Sequence, residues 1–193
     1  MPMIDRRNFV AATLGAIASP AAIGLALAQP AASQMTAYGF SFPALSGDAI
    51  RLADFAGRPI LVVNTASQCG YTPQYAGLQA LWAEFKDRGL MIIAVPSNDF
   101  GGQEPGGVSE ITETAQHQYG VGFPIAAKSV VKGPAAHPFY KWAAAARPND
   151  TPRWNFHKYL VGRDGYLADS FATTIEPTDT RIKTALARQL SSA

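Results

Sequence analysis

The 193-residue sequence contains a single cysteine, Cys69, set where a thiol can be reactive. Ile60-Leu61-Val62-Val63 is a short apolar run, after which Asn64-Thr65-Ala66-Ser67-Gln68-Cys69-Gly70-Tyr71-Thr72 turns small and polar. The thiolate is the nucleophilic form of cysteine, and a place just before a helix favours negative charge, because unpaired N–H groups and the helix dipole point at it. The alternative is an inert buried cysteine. Against it, Ser67, Gln68, Gly70 and Thr72 do not read as core. Cys69-Gly70-Tyr71-Thr72 lacks the second thiol of a Cys-x-x-Cys pair, which argues against a dithiol oxidoreductase, and no internal disulfide can form. His117, His137 and His157 lie far apart with no cysteine or carboxylate at ligand spacing, so no metal site is expected.

A second stretch, Pro96-Ser97-Asn98-Asp99-Phe100-Gly101-Gly102-Gln103-Glu104-Pro105-Gly106-Gly107, has glycines that permit tight turns and close backbone approach. No GxxxxGK pattern follows, which disfavours a phosphate cradle. A plain surface loop is the other alternative.

The elements that must position these loops can be read from periodicity. Phe40 and Phe42 alternate with small or polar neighbours, and a Ser46-Gly47-Asp48 turn precedes Ile50 and Leu52, so a small N-terminal hairpin is expected. The run Ile60–Val63, a helix from Pro73 to about Arg88, and the apolar run Leu90–Val95 form a β-α-β unit. In that helix Thr72 is the expected N-cap, Tyr75, Leu78, Leu81, Trp82 and Phe85 share helical spacing, and Gly89 is the stop. Strands of this kind are parallel and buried on both faces, and their C-terminal ends should host the site. Ser109 should cap a helix carrying Ile111, Ala115 and Tyr119, followed by a helix at about Pro138–Ala146. Lys158–Val161, an Asp164-Gly165 turn and Tyr166-Leu167 read as an antiparallel hairpin, and Thr178 should cap a last helix with Ile182, Leu186 and Leu190 on one face. These patterns alone support a mixed α/β fold.

With 48% apolar and 16% charged residues, the chain suits one globular domain; its formal charge of +2, without a basic stripe, disfavours nucleic acid as a partner. Asp5-Arg6-Arg7-Asn8-Phe9-Val10 leads into an Ala-rich run and resembles a twin-arginine export signal. Ala26-Leu27-Ala28 fits a cleavage site. The expected organisation is an export signal over 1–28, a linker over 29–36 and one domain over 37–193. An uncleaved membrane anchor over Phe9–Ala28 is disfavoured by Gly15, Pro20 and Gly24. The cleaved chain would be nearly neutral, periplasmic or secreted, with the twin-arginine machinery as a partner and no stable membrane association.

Asn64–Thr72, then Phe100-Gly101-Gly102-Gln103-Glu104-Pro105-Gly106, then Trp154-Asn155-Phe156, in that order, resemble the glutathione peroxidase family. The resemblance covers nearly the whole chain after the export signal. It implies a thioredoxin-like fold, with a central mixed sheet flanked by helices and an N-terminal β-hairpin. It also implies that Cys69 is the peroxidatic residue and that Gln103, Trp154 and Asn155 complete a catalytic tetrad. Cysteine stands where some members carry selenocysteine. The implied chemistry is attack of a thiolate on a peroxide oxygen, giving sulfenic acid, with neutral N–H donors steadying the departing oxygen. For Trp154 the alternative is a core aromatic, and for Gln103 and Asn155 a backbone-capping amide.

Departures from the family pattern sharpen these expectations. The place of a resolving cysteine falls at Gln116, Gln68 stands where a lysine often precedes the catalytic cysteine, and Asp99 replaces a common glutamine. The chain between Phe139 and Trp154 is short, so a monomer is expected. No cofactor is implied beyond an external thiol reductant, such as glutathione or a thioredoxin-like protein. The leading expectation is a thiol peroxidase reducing hydrogen peroxide or organic hydroperoxides in antioxidant defence. The alternatives are a peroxide-sensing module read by a partner through oxidised Cys69, and an inactive binding domain.

Overall fold

The computed structural model describes residues 35–191. The expected export signal and most of the expected linker lie outside the described residues. The domain is already engaged at Met35, whose carbonyl accepts from Trp142 Nε1 at 2.7 Å, and the Ala37 N–H donates to the Gly165 carbonyl at 2.8 Å.

Strands β1 (Ser41–Pro43) and β2 (Ala49–Arg51) pair antiparallel as the expected hairpin, with Phe42 opposite Ile50. The main sheet holds β3 (Ile60–Thr65), β4 (Met91–Pro96), β5 (Lys158–Val161) and β6 (Leu167–Phe171) in the order β4-β3-β5-β6. β3 and β4 run parallel; β5 runs antiparallel to β3, and β6 antiparallel to β5. This is the mixed thioredoxin-like sheet the family resemblance implied.

Alternation along β3 sends its side chains to two cores. Leu61 and Val63 face Leu78, Leu81 and Phe85 of α1 (Gln74–Phe85) and Ile182 and Leu186 of α4 (Thr180–Ser191). Ile60 and Val62 face Phe139, Tyr140 and Ala143 of α3 (Pro138–Ala146), together with Phe42 and Ile50 of the hairpin. All six residues of β3 and all six of β4 are buried, as expected for strands covered on both faces. Each buried aliphatic side chain contributes about 1.5–3 kcal/mol.

Three helix boundaries differ from the sequence expectation for local reasons. The Thr72 hydroxyl turns back to donate to the Ala66 carbonyl and accept from the Cys69 N–H, so it does not cap α1, which begins at Gln74. The single helix expected after Ser109 is a five-residue α2 (Val108–Thr112) followed by a π-helical stretch, Glu113–Gln118. Neither Ser109 nor Thr178 caps: the residue before α2 is Gly107, and at α4 the Asp179 carboxylate accepts from the Arg181 N–H at 2.8 Å. Gly89 does end the first helical segment, at φ 110°, a left-handed conformation that glycine adopts without a Cβ clash.

Candidate active site

β3 delivers the Cys69 loop at its C-terminal end. Cys69 is 7% exposed and packs with Ala66, Tyr75 and Leu78, while Gln68 and Gly70 on either side are exposed. The thiol is thus more enclosed than its polar flanks imply, since it lies within the apolar cluster against which Tyr71 also packs. The Tyr71 N–H points at Sγ, 3.4 Å away. A tight turn separates the sulfur from α1: Gln74, Tyr75 and Ala76 donate to the carbonyls of Tyr71, Thr72 and Pro73. The first N–H groups of the helix are therefore engaged, so the donor nearest the sulfur is the local Tyr71 amide.

The glycine-rich stretch follows β4. Gly101 has φ 67°, and a Cβ there would lie 3.3 Å from Trp154 Cη2 and 3.5 Å from Gln103 Cγ. Only glycine allows that approach without displacing one of them. Asp99, which departs from the family pattern, anchors the loop by accepting from the N–H groups of Val131 and Lys132 at 2.6 and 3.2 Å. The Gln103 carbonyl accepts from the Gln68 N–H at 3.0 Å, which ties this loop to the residue before Cys69.

The third segment leads into β5. Asn64 of β3 clamps it: its side-chain amide donates to the Trp154 carbonyl at 3.0 Å, its own carbonyl accepts from the Phe156 N–H at 2.6 Å, and its N–H donates to the His157 carbonyl at 3.3 Å. Phe156 is held at φ 62°, an uncommon conformation for a bulky residue and one that persists only when its surroundings fix it. Asn155, fully buried, donates through Nδ2 to the Phe100 carbonyl at 3.4 Å and to Gln103 Oε1 at 3.0 Å.

That pair of bonds orients both amides. The Phe100 carbonyl requires the Asn155 nitrogen to face it, and that nitrogen in turn requires the Gln103 oxygen, which leaves the Gln103 Nε2 hydrogens to point elsewhere. Trp154 is 37% exposed, and its Nε1 has no protein partner among the described residues. Gln103, Trp154 and Asn155, distant in sequence, are thus brought to one place, and Gln103 is linked through Gln68 to the Cys69 loop. Within this cluster the amide donors left unspent belong to Gln103, while Asn155 is occupied in holding it.

The glutathione peroxidase family model matches residues 37–144, a span that contains Cys69 and Gln103. The chain belongs to the glutathione peroxidase family. It is accordingly a peroxidase, an oxidoreductase. A hydroperoxy fatty acid reductase of Synechocystis sp. is 46% identical over 153 residues, covering 75% of this chain and 90% of that protein. The crystal structure of Trgpx in apo form superposes with a TM-score of 0.68 at 30% identity, over 83% of this chain and 98% of that one. A thioredoxin-family thiol:disulfide interchange protein from Chlorobium tepidum shares the fold, with a TM-score of 0.61 at 13% identity over 83% of this chain and 99% of that one.

Two buried residues that hold these loops were not legible from sequence. Asn64 belongs to the cysteine motif, yet nothing in sequence spacing foretells its grip on 154–157. Glu104 lies beside Gln103 and reaches Ser67. The histidines serve locally: His117 contacts Glu113 on the exposed π-helical stretch, His137 stacks on Phe42 at 4.2 Å, and His157 lies edge-on to Tyr159 at 4.7 Å. Among the described residues no group of three or more histidine, cysteine or acidic side chains could hold a metal ion, and no helix is long and apolar enough to cross a membrane.

Proposed function

We propose that the protein reduces hydrogen peroxide or organic hydroperoxides through Cys69, with an external thiol as electron donor. The Cys69 thiolate attacks one peroxide oxygen, an S–O bond forms as the O–O bond breaks, and the sulfur is oxidised by two electrons to sulfenic acid. The other oxygen leaves as an alkoxide or hydroxide and takes up the proton the thiol gave up, relayed by water. Gln103 and Trp154 supply N–H donors to that departing oxygen, and Asn155 holds Gln103 in position. An external thiol then condenses with the sulfenic acid, releasing water, and a second thiol frees Cys69 by exchange.

The observation that carries this reading is the fixed orientation of Gln103 by Asn155, combined with the bond from Gln68 to the Gln103 backbone. Organic hydroperoxides are included because a relative 46% identical is a hydroperoxy fatty acid reductase. The twin-arginine-like segment over 1–28 supports a periplasmic or secreted enzyme.

A steady-state assay with hydrogen peroxide and a lipid hydroperoxide, supplied with either glutathione or a thioredoxin system, tests the proposal. Repeated turnover with one of these donors, lost in Cys69→Ser, is the expected result. A serine hydroxyl is not ionised at neutral pH, so that variant keeps the shape without the nucleophile. Consumption of a single peroxide equivalent under every donor would favour the peroxide-sensing alternative.

A further inference from the structure

The proposed mechanism leaves one buried acid unused. Glu104 is fully buried directly after Gln103, and each polar part of it is committed except one oxygen. Its N–H donates to Asn98 Oδ1 at 2.9 Å, and its carbonyl accepts from Lys128 Nζ at 3.2 Å. Its carboxylate oxygen Oε2 accepts from both the N–H and the hydroxyl of Ser67, at 3.0 and 3.2 Å. The second oxygen, Oε1, is buried without a protein partner among the described residues. The Tyr75 hydroxyl of α1 is buried as well; burial pushes it up, Thr65 opposes the rise and the Glu104 charge adds to it.

The bonding forms a two-rung seam. Successive N–H groups of Ser67 and Gln68, leading into Cys69, donate to successive residues Glu104 and Gln103. Burial pushes the Glu104 carboxyl above its ordinary range, opposed by the Ser67 hydrogen bonds and by Lys128. Burying a carboxyl here is costly, and its side chain has one evident task, gripping Ser67.

We propose that Glu104 is a positioning residue that sets the Gln103 amide against Cys69 by clamping Ser67. The proposal rests on the reading of Gln103 as a donor to the departing oxygen. Alkylation of Cys69 requires the accessible thiolate but releases no oxygen that needs a donor, whereas attack on peroxide also requires Gln103. Loss of the clamp should therefore separate the two rates.

The test measures the second-order rates of full-length Cys69 enzyme with hydrogen peroxide and with iodoacetamide. In Glu104→Ala the peroxide rate should fall about 10- to 100-fold, as for a displaced donor, with alkylation changed less than about 3-fold. Glu104→Gln keeps an acceptor for Ser67 and should restore the peroxide rate to within about 3-fold. A parallel fall in both rates, an unchanged peroxide rate in Glu104→Ala, or no recovery in Glu104→Gln would overturn the proposal. If Glu104→Ala does not fold, Glu104→Asp, which retracts the acceptor by one methylene, must show the same split. Gln103→Ala separates the two levels of inference. If it is slow on peroxide while the Glu104 variants are not, only the clamp fails; if it loses nothing, the donor reading fails and takes the clamp with it.

Discussion

In the proposed mechanism the two amides divide the work according to which of their hydrogens are already spent. Asn155 Nδ2 is committed to the Phe100 carbonyl and to Gln103 Oε1, so in that proposed mechanism Asn155 acts through Gln103. Gln103→Ala should slow oxidation of Cys69 by peroxide about 10- to 1,000-fold, the range for removing an oxyanion-type donor. Asn155→Ala should also be slower than the native enzyme. The double variant should be no slower than Gln103→Ala alone, because residues acting as one unit are not additive. Stopped-flow oxidation of the three variants checks this, and independent multiplication of the two effects would assign Asn155 a donor role of its own. The residue types of this site were legible because they sit in three recognisable motifs. Their hydrogen-bond directions were not, since an amide in a sequence does not say which end faces which neighbour.

Among the elements, β5 and the residue before it carry two buried titratable groups. His157 precedes it and Lys158 begins it, paired with Val63 of β3. Burial, with Lys158 beside it, pushes His157 down to about 4, against the opposing influence of Asp150. The unfolded chain therefore binds a proton that the folded chain refuses between the ordinary histidine value and about pH 4, so stability is lost as the pH falls through that window. The whole effect is about 3 kcal/mol. His157→Phe should flatten the acid limb, seen as a smaller drop in urea midpoint between pH 7 and pH 4.5 than in the native protein. An unchanged acid limb would move the acid sensitivity to other groups. Periodicity located β3, β4 and α3 well, because Ile60–Val63 and Met91–Val95 are unbroken apolar runs and Pro138 marks a helix start that His137 caps through Nδ1. It failed between Ser109 and Tyr119, where Ile111, Ala115 and Tyr119 fit an α-helical stripe but the backbone widens into a π-helical stretch. Such a widening leaves the apolar spacing nearly intact and so has no pattern of its own.

For the molecule as a whole, one sulfur must serve a domain that no disulfide can hold. Two apolar cores, one on each face of the β4-β3-β5-β6 sheet, supply the packing. The place where the family's resolving thiol would fall is Gln116, exposed on the π-helical stretch, so the oxidised sulfur has no second cysteine in its own chain to meet. Sequence alone established this economy of thiols, while the enclosure of Cys69 within the apolar cluster required coordinates. A lone sulfenic acid must be attacked by an outside thiol or oxidise further. In the proposed function Cys69 is the nucleophile of a peroxidase that depends on an external thiol. Intact-mass spectrometry with peptide mapping, after stepwise addition of peroxide without reductant, tests it most directly. One oxygen added at Cys69, further oxygens with excess peroxide, and return to the starting mass when thiol is supplied after the first step are the expected results. Peroxide consumption with Cys69 left unmodified, or a first oxygen on Cys69 that no thiol removes, would contradict that function.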